Sequence, residues 1–225
     1  MQQNLINEMD EVSRKIEYLV GSATTINEMR ELAAKTPFDN EIIDFLNTLS
    51  KMLMKLPEAK MYPDVITLAF WMRKSSVMEL RKRFMKQTKD IVLGRGIAFH
   101  IAPSNVPVNY AYSLVTGLLT GNANIVRIPS KEFPQVSIIN KAIKSILEEY
   151  PNVARYICLV RYERDPNIND LISGIADIRI IWGGDNTIKE IRKSPLGARA
   201  NDVTFADRYS LAVIDSEQYL AVDDK

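Results

Sequence analysis

The sequence has very little cysteine and histidine: its 225 residues contain one of each, Cys158 and His100. A single cysteine excludes an internal disulfide framework and is typical of a reducing compartment. Zinc sites and cysteine–histidine catalytic pairs need more such side chains, so neither is supported and no metal is predicted. Both residues lie inside apolar runs. We therefore predict that both are packed in the interior.

The sequence also lacks an excess of charge of one sign and long apolar runs. Lys and Arg number 29 against 28 Asp and Glu, and no basic run is interleaved with aromatic residues as nucleic-acid binding requires. No apolar stretch approaches the roughly 20 residues that span a bilayer. The first residues lack the basic-then-apolar order of a signal peptide. These absences predict a cytoplasmic protein with no membrane span and no nucleic-acid partner.

The first ninety residues have the periodicity of helices, and we predict a helical N-terminal region over residues 1–90. Three- and four-residue steps favour one helix carrying Leu5, Ile6, Met9, Val12, Ile16 and Leu19. Residues 25–28 have the order of a capping box. A further helix is expected after Asp39, and Pro63 suits the first turn of another. The basic residues 73–89 are interpreted as a solvated helix face.

The pattern changes near residue 91, where short β-rich runs begin to alternate with helical segments. The runs predicted as strands are residues 97–102, 123–128, 155–160, 178–182 and 211–215. The helices expected between them cover residues 108–119, 135–149, a short segment around 169, and 186–193. This alternation predicts an α/β fold with a Rossmann-type, mostly parallel sheet flanked by helices. Residues 91–225 are predicted to form one such domain, with ligands bound beyond the carboxyl ends of the strands.

The segment that leaves the first of these strands contains Ser104 and Asn105 between two prolines. An asparagine amide held in a rigid turn can donate a hydrogen bond to an oxyanion in acyl transfer. From the turn alone, the favoured alternative is an asparagine that bonds its own backbone.

Two further strand exits carry residues that suit a phosphate-bearing ligand. Arg127, Ser130 and Lys131 supply two cations and a hydroxyl, although exposed charges at a helix entrance are an equal alternative. Gly183 and Gly184 allow close approach of the backbone to a ligand, and the helix after them offers N–H groups to an anion. Paired glycines before a helix are common, and the G-x-G-x-x-G fingerprint is absent after any predicted strand.

Taken in order, these segments resemble the LuxC-like acyl-CoA reductases, a family of the aldehyde dehydrogenase superfamily that includes the fatty-acyl reductase of bacterial luminescence. The matching motifs are residues 96–107, 117–131, 181–185 and 204–210. The resemblance covers about residues 94–215 and implies an aldehyde dehydrogenase-like fold. The helical front is compatible with the family but does not identify it.

The resemblance implies a role for each exit. Asn105 matches the asparagine that donates to the thiohemiacetal oxyanion, which replaces the turn interpretation. The implied cofactor-binding residues are Ser104, Arg127, Pro129, Ser130, Lys131, Gly183, Gly184 and Asp185. Many aldehyde dehydrogenases have a lysine at the position of Ile128 and a glutamate at that of Lys131. A carboxylate there would repel a 2′-phosphate, and a lysine reverses that sign, so we predict NADPH over NADH.

The implied reaction moves an acyl group from CoA, or from an acyl-protein, to a cysteine thiolate, and NADPH then reduces the thioester to an aldehyde. Residues 204–207 lack the glutamate that activates hydrolytic water in aldehyde-oxidising relatives, which agrees with reduction. The nucleophilic cysteine is not in the chain, because Cys158 precedes the glycine pair and lies in a predicted strand. We therefore expect a truncated chain, a fragment, or a split or degenerate gene product, which is inactive alone.

The resemblance also implies partners. Luminescence-type reductases associate with an acyl-protein synthetase, which is therefore a candidate partner, and the full-length protein is expected to form a homo-oligomer. The alternative is a non-catalytic, nucleotide-binding partner or scaffold in an acyl-transfer complex. A third interpretation, an unrelated doubly wound nucleotide-binding protein, requires the ordered motif matches to be coincidental.

Overall fold

The computed structural model describes residues 14–87, 90–206 and 211–221, which are organised around one six-stranded sheet. Its strands are β1 (Glu17–Val20), β2 (Ile97–Ile101), β3 (Ala123–Arg127), β4 (Ile157–Arg161), β5 (Ile178–Trp182) and β6 (Asn201–Phe205). Their order across the sheet is β1-β4-β3-β2-β5-β6. Strands β2 to β6 run parallel to one another, and β1 runs antiparallel to β4. The mostly parallel α/β sheet flanked by helices is confirmed.

Ten α-helices and one 3-10 helix (Ala59–Met61) accompany the sheet in the described ranges. The α-helices are α1 (Ala23–Met29), α2 (Asn40–Lys55), α3 (Pro63–Trp71), α4 (Lys74–Gln87), α5 (Asn109–Leu119), α6 (Pro134–Leu147), α7 (Pro151–Ala154), α8 (Pro166–Ile175), α9 (Asp185–Ile191) and α10 (Ser216–Leu220). Two predicted starts are confirmed. The Asp39 carboxylate accepts from the N–H groups of Glu41 and Ile42 at the start of α2, and Pro63 occupies the first turn of α3.

The central strands owe their position to their apolar content. Every residue of β2 is buried, as are four of the five in both β3 and β4, which is typical of parallel strands covered on both faces. Buried side chains of α2, α5 and α6 belong to the same continuous core as these strands. The sheet and the helical front therefore share one hydrophobic core, and the domain boundary near residue 90 stays a prediction.

The connections place a topological switch between β2 and β5. From β2 the chain moves to β3 and then β4 on one side, and it returns to the other side of β2 for β5 and β6. Ligands bind such sheets in the crevice outside the carboxyl ends of the strands, where the winding direction reverses. The fold thus directs attention to the segments after Ile101 and Trp182.

The predicted first helix is wrong where the structure describes it. Leu19 lies in β1, whose Glu17 is opposite Arg161 of β4. Ile16 precedes that strand and is not helical, and Leu5, Ile6, Met9 and Val12 lie outside the described residues. Hydrogen bonding to a strand some 140 residues away overrides the local helical periodicity. The capping box also lies three residues earlier than predicted: the side chains of Ser22 and Thr25 each accept from the other's backbone N–H at 3.2 Å.

The predicted strand over residues 211–215 is also wrong. These residues are exposed and form no strand, and Asp215 caps α10 instead. The last strand is β6, which pairs with β5 from Ile178 opposite Asn201 to Trp182 opposite Phe205. Residues 207–210, the end of the fourth family motif, lie outside the described residues.

Candidate functional site

A cleft of about 1340 Å³ lies at the carboxyl ends of the parallel strands. Its walls come from the exits of β2, β3, β4, β5 and β6. It contains eight of the nine residues predicted to form the site, namely Ser104, Asn105, Arg127, Pro129, Ser130, Lys131, Gly183 and Gly184. Asp185 is exposed in the first turn of α9 and does not line the cleft. The rule that ligands bind beyond strand ends therefore brings together predicted residues as far apart as Ser104 and Gly184.

The exit of β2 presents Asn105 to solvent, between Ser104 and Val106, which are exposed as well. Within the described residues, the Asn105 side chain makes no hydrogen bond to its own turn. The turn is held instead by its backbone, since the Asn109 N–H donates to the Val106 carbonyl at 3.2 Å. The amide of Asn105 is thus available to a ligand in the cleft.

The exit of β3 combines one fixed cation with one exposed cation. The Arg127 guanidinium donates to the Tyr162 carbonyl at 3.3 Å and lies 4.5 Å from the centre of the Tyr162 ring. The Tyr162 hydroxyl donates to Asn169 at 2.8 Å, and burial raises its pKa, so it stays protonated. Lys131 is exposed, with its Nζ 4.9 Å from the Phe133 ring. Arg127 is therefore preorganised, and Lys131 can adapt to a ligand.

Sequence reasoning missed the exit of β4, which contributes Glu163, Arg164 and Asp165 to the cleft. Asp165 caps α8 by accepting from the Asn167 N–H at 2.9 Å, and it forms an ion pair with Lys15 at 3.3 Å. The signal was present, because the strand-exit rule that selected the other segments applies equally to β4. The segment lacks the paired prolines and paired glycines that drew attention to the exits of β2 and β5.

The exit of β5 is a close-packed glycine turn beside an aromatic pair. A Cβ atom on Gly183 would lie 3.0 Å from Cγ2 of Thr187. The N–H of Gly183 donates to the Phe205 carbonyl at 3.2 Å. The rings of Trp182 and Phe205 stack in parallel, with centroids 3.9 Å apart and an interplanar angle of 8°. Both rings line the cleft, and sequence reasoning assigned neither of them to the site.

The two residues predicted to be packed are packed. His100 is 2% exposed and Cys158 is fully buried. Burial raises the pKa of the Cys158 thiol to about 12, and a backbone hydrogen bond of Ser22 opposes this only weakly. The thiolate is the nucleophilic form, so Cys158 is inert near neutral pH. In the part of the chain that the structure describes, no three His, Cys, Asp or Glu side chains cluster closely enough to hold a metal ion.

Comparison with protein families gives a match over residues 4–225 to the family described as acyl-CoA reductase (LuxC). The chain belongs to the LuxC family. Curated relatives of this LuxC-family chain include long-chain acyl-protein thioester reductase 2 of Photobacterium leiognathi, 28% identical over 128 residues. The long-chain acyl-protein thioester reductase of Aliivibrio fischeri is 24% identical over 124 residues. The matches cover 55% and 54% of this chain but only 26% of each relative.

Solved structures place the LuxC-family chain in the aldehyde dehydrogenase fold. Glyceraldehyde-3-phosphate dehydrogenase GapN of Methanocaldococcus jannaschii, complexed with NADP, covers 91% of this chain with a TM-score of 0.58 and 17% identity. A betaine aldehyde dehydrogenase mutant of Staphylococcus aureus in complex with NAD+ covers 73% with a TM-score of 0.51 and 17% identity. The matched regions are 46% and 37% of those chains. The predicted aldehyde dehydrogenase-like fold is confirmed.

The residues of this LuxC-family cleft fit a nicotinamide dinucleotide, the cofactor that the fold family implies. Its volume of about 1340 Å³ exceeds the range of roughly 300–1,000 Å³ for ordinary small-molecule pockets. Arg127 and Lys131 supply positive charge, and the bare backbone of Gly183 permits close approach. None of the helices in the described ranges has the length and apolarity needed to cross a bilayer.

Proposed function

We propose that this chain is the NADPH-binding part of an enzyme that reduces a long-chain acyl thioester to an aldehyde. The observation that carries the proposal is the cleft of a LuxC-family chain, in which Asn105, Arg127, Lys131 and Gly183 meet at one edge of the sheet. The names of the curated relatives support an acyl-protein thioester as substrate, and an acyl-CoA offers the same reacting bond.

Asn105 is proposed as the oxyanion donor. Attack of a thiolate on a thioester places negative charge on the former carbonyl oxygen, and a preorganised amide N–H stabilises that charge in the transition state. The exposed Asn105 amide makes no hydrogen bond to its own turn within the described residues, so it can donate to this oxygen. Two flanking prolines restrict the turn, which reduces the cost of orienting the amide.

The exit of β3 is proposed to hold the phosphorylated ribose. Arg127 is fixed by Tyr162, Ser130 offers a hydroxyl, and Lys131 places an exposed cation where a 2′-phosphate would gain from it. NADPH, when bound, supplies the hydride that reduces the acyl-enzyme thioester. The role of the cleft residues is to bind and orient this cofactor beside the Asn105 turn.

The nucleophile must be a cysteine other than Cys158, which is buried and has a raised pKa. The chain contains no other cysteine, so we propose that these 225 residues bind nucleotide without turning over an acyl thioester. The cytoplasmic location, the homo-oligomer and the acyl-protein synthetase partner remain parts of this proposal.

Calorimetric titration of the 225-residue chain with NADPH and NADH tests the cofactor assignment. Wild type is expected to bind NADPH more tightly, by about ten- to hundredfold, because a charge-assisted contact to phosphate contributes about 1.5–3 kcal/mol. Lys131→Glu should remove this preference by replacing attraction with repulsion. Lys141→Glu makes the same change of charge at an exposed residue outside the cleft, and it should leave both affinities unchanged.

Equal affinities of wild type for the two nucleotides would contradict the NADPH assignment. Absence of binding by either nucleotide, with a native circular dichroism spectrum, would contradict the proposed function as a whole. That second outcome would leave a scaffold role without nucleotide as the alternative.

A further inference from the structure

A chain of hydrogen bonds runs through the core from β3 to the cleft, centred on the single histidine. His100 in β2 is 2% exposed. Its Nδ1 lies 2.7 Å from the Ser113 hydroxyl of α5, and its Nε2 lies 3.0 Å from Oδ1 of Asn124 in β3. The Trp182 indole N–H donates to the same Ser113 hydroxyl at 3.3 Å. Asn124 closes the other end by donating to the Asn122 carbonyl at 2.7 Å.

The chemistry of these groups assigns a direction to every hydrogen bond. Oδ1 of Asn124 can only accept, so Nε2 of His100 donates to it and Nδ1 accepts from the Ser113 hydroxyl, whose oxygen accepts from the Trp182 indole N–H. The imidazole proton then resides on Nε2 and is donated to Asn124, whose amide donates to backbone. One neutral tautomer therefore satisfies every member of the chain. Burial, opposed by the hydrogen bond to Asn124, lowers the pKa of His100 to about 4 and keeps it neutral.

Helix α5 packs so closely on these hydrogen-bonded side chains that only glycine fits at position 117. A Cβ atom there would lie 1.8 Å from Oδ1 of Asn124 and 3.0 Å from Nε2 of His100. The imidazole and the amide thus fill the space that a side chain at position 117 would need. The hydrogen bonds that they make are therefore held by packing as well as by their own geometry.

The chain of hydrogen bonds ends at the wall of the cleft. Trp182 is the last residue of β5, and its half-buried indole stacks on Phe205, which is 44% exposed in the cleft. Trp182 lies at the switch point of the sheet, where the exits of β2 and β5 adjoin, and Phe205 ends the next strand, β6. The Ser113 contact is the indole's hydrogen bond in the described part of the chain, so it determines how the ring plane is held.

We propose that His100, Ser113 and Asn124 are positioning residues, which lock the Trp182 indole against Phe205 and so give the cleft a preset aromatic wall. The wall itself follows from the geometry, and its effect on NADPH rests on the proposed function. A wall that is already in place lowers the ordering cost of binding, because the side chain need not be immobilised when the ligand arrives.

The test follows the indole directly. The chain has two tryptophans, so a Trp71→Phe background leaves Trp182 as the only indole fluorophore. Ser113→Ala removes the acceptor of the indole N–H. His100→Gln retains one acceptor and one donor and serves as the conservative variant. Ser50→Ala is the matched control, since Ser50 is also fully buried but bonds the Ala69 carbonyl at 2.6 Å, away from the cleft.

Acrylamide quenching of Trp182 fluorescence and NADPH affinity are measured for each protein. Loss of a neutral hydrogen bond should weaken NADPH binding by about three- to tenfold in Ser113→Ala, with quenching clearly increased. His100→Gln should show both effects to a smaller extent, and Ser50→Ala should show neither. If Ser113→Ala fails to fold, Trp182→Phe removes the N–H while keeping a ring stacked on Phe205. This variant should weaken NADPH binding to a similar extent.

Unchanged quenching and affinity in Ser113→Ala would overturn the proposal and leave the hydrogen-bond chain a purely structural role. Unchanged affinity in Trp182→Phe would overturn it as well. If wild type binds no nucleotide, the proposed function fails. The quenching comparison between Ser113→Ala and Ser50→Ala still decides whether the indole is locked.

Discussion

Two buried polar clusters lie on opposite faces of β5, one charged and one neutral. Arg179 and Trp182 are three residues apart in the strand, so their side chains point to opposite sides of the sheet. Arg179 faces Ser173 of α8, and Trp182 faces Ser113 of α5. The same strand therefore anchors both clusters, and their difference shows what each kind of polar group contributes.

The charged cluster neutralises one fully buried guanidinium. Arg179 is 1% exposed and donates to both oxygens of Asp202 in β6, at 2.8 and 3.1 Å. Its Nη1 donates to Ser173 and to the Ser194 carbonyl at 3.0 and 2.9 Å. This cluster ties β6 and the segment at Ser194 to β5. The neutral cluster around His100 connects the core to one ring at the cleft, so it orients a side chain more than it holds strands together.

The largest effect on the free energy of unfolding is expected when Arg179 loses its charged partner, Asp202. Asp202→Ala leaves Arg179 buried without its carboxylate, which should lower the free energy of unfolding by about 3–5 kcal/mol. Arg192→Gln removes only the exposed contact to the same carboxylate, 3.3 Å away, and should cost at most about 1 kcal/mol. Urea unfolding measures both. Similar small losses in the two variants would show that Arg179 does not depend on Asp202.

The neutral cluster should make stability depend on pH. The pKa of His100 is about 4 in the folded chain, against 6.5 for an ordinary histidine, so the unfolded chain binds the proton first. The stabilisation is complete above about pH 6.5 and is lost as the pH falls toward 4, by on the order of 3 kcal/mol in total.

The measurement is urea unfolding at pH 7, 5.5 and 4.5 for wild type and His100→Gln. The variant carries no titrating group at this position, and the partners Ser113 and Asn124 are neutral. Its stability should therefore fall less over this range than that of wild type. Parallel curves would contradict a buried neutral imidazole.

Smaller changes in stability are expected when alanine replaces either of two helical glycines, Gly117 and Gly174. Gly117→Ala places a methyl group against Asn124 and His100, and overpacking of this kind costs about 1–3 kcal/mol. Gly174→Ala in α8 meets nothing within 4 Å, so it should stabilise the chain by up to about 1 kcal/mol through helix propensity. Thermal unfolding compares the two, and a stabilising Gly117→Ala would show that α5 can move away from the neutral cluster.

The strand exits could be predicted from the sequence because they depend on a local signal and a general rule. Apolar runs mark the buried strands β2, β3 and β4, and parallel sheets bring the ends of such strands to one edge. The residues that follow them, such as Asn105 and Lys131, could therefore be assigned to one site. The exit of β4 follows from the same rule, but its charged residues do not stand out from a solvated loop.

The edge strands could not be predicted, because their pairing depends on distant residues. β6 reads Asn-Asp-Val-Thr-Phe and alternates between exposed and half-buried positions, so it lacks the apolar content of the central strands. Its place is determined by β5 and by the pairing of Asp202 with Arg179. β1 likewise becomes a strand only through its pairing with β4. The Trp182–Phe205 stack lies at the ends of β5 and β6, and it was missed because β6 was not predicted.

Hydrogen exchange of the chain with and without NADPH tests whether the cleft at the strand ends binds this cofactor. We expect slower exchange in residues 103–106, 127–131, 163–166 and 183–187, and unchanged exchange in α2 and α4, which lie away from the cleft. Protection confined to those two helices, or no protection at saturating NADPH, would contradict the assignment of the cleft.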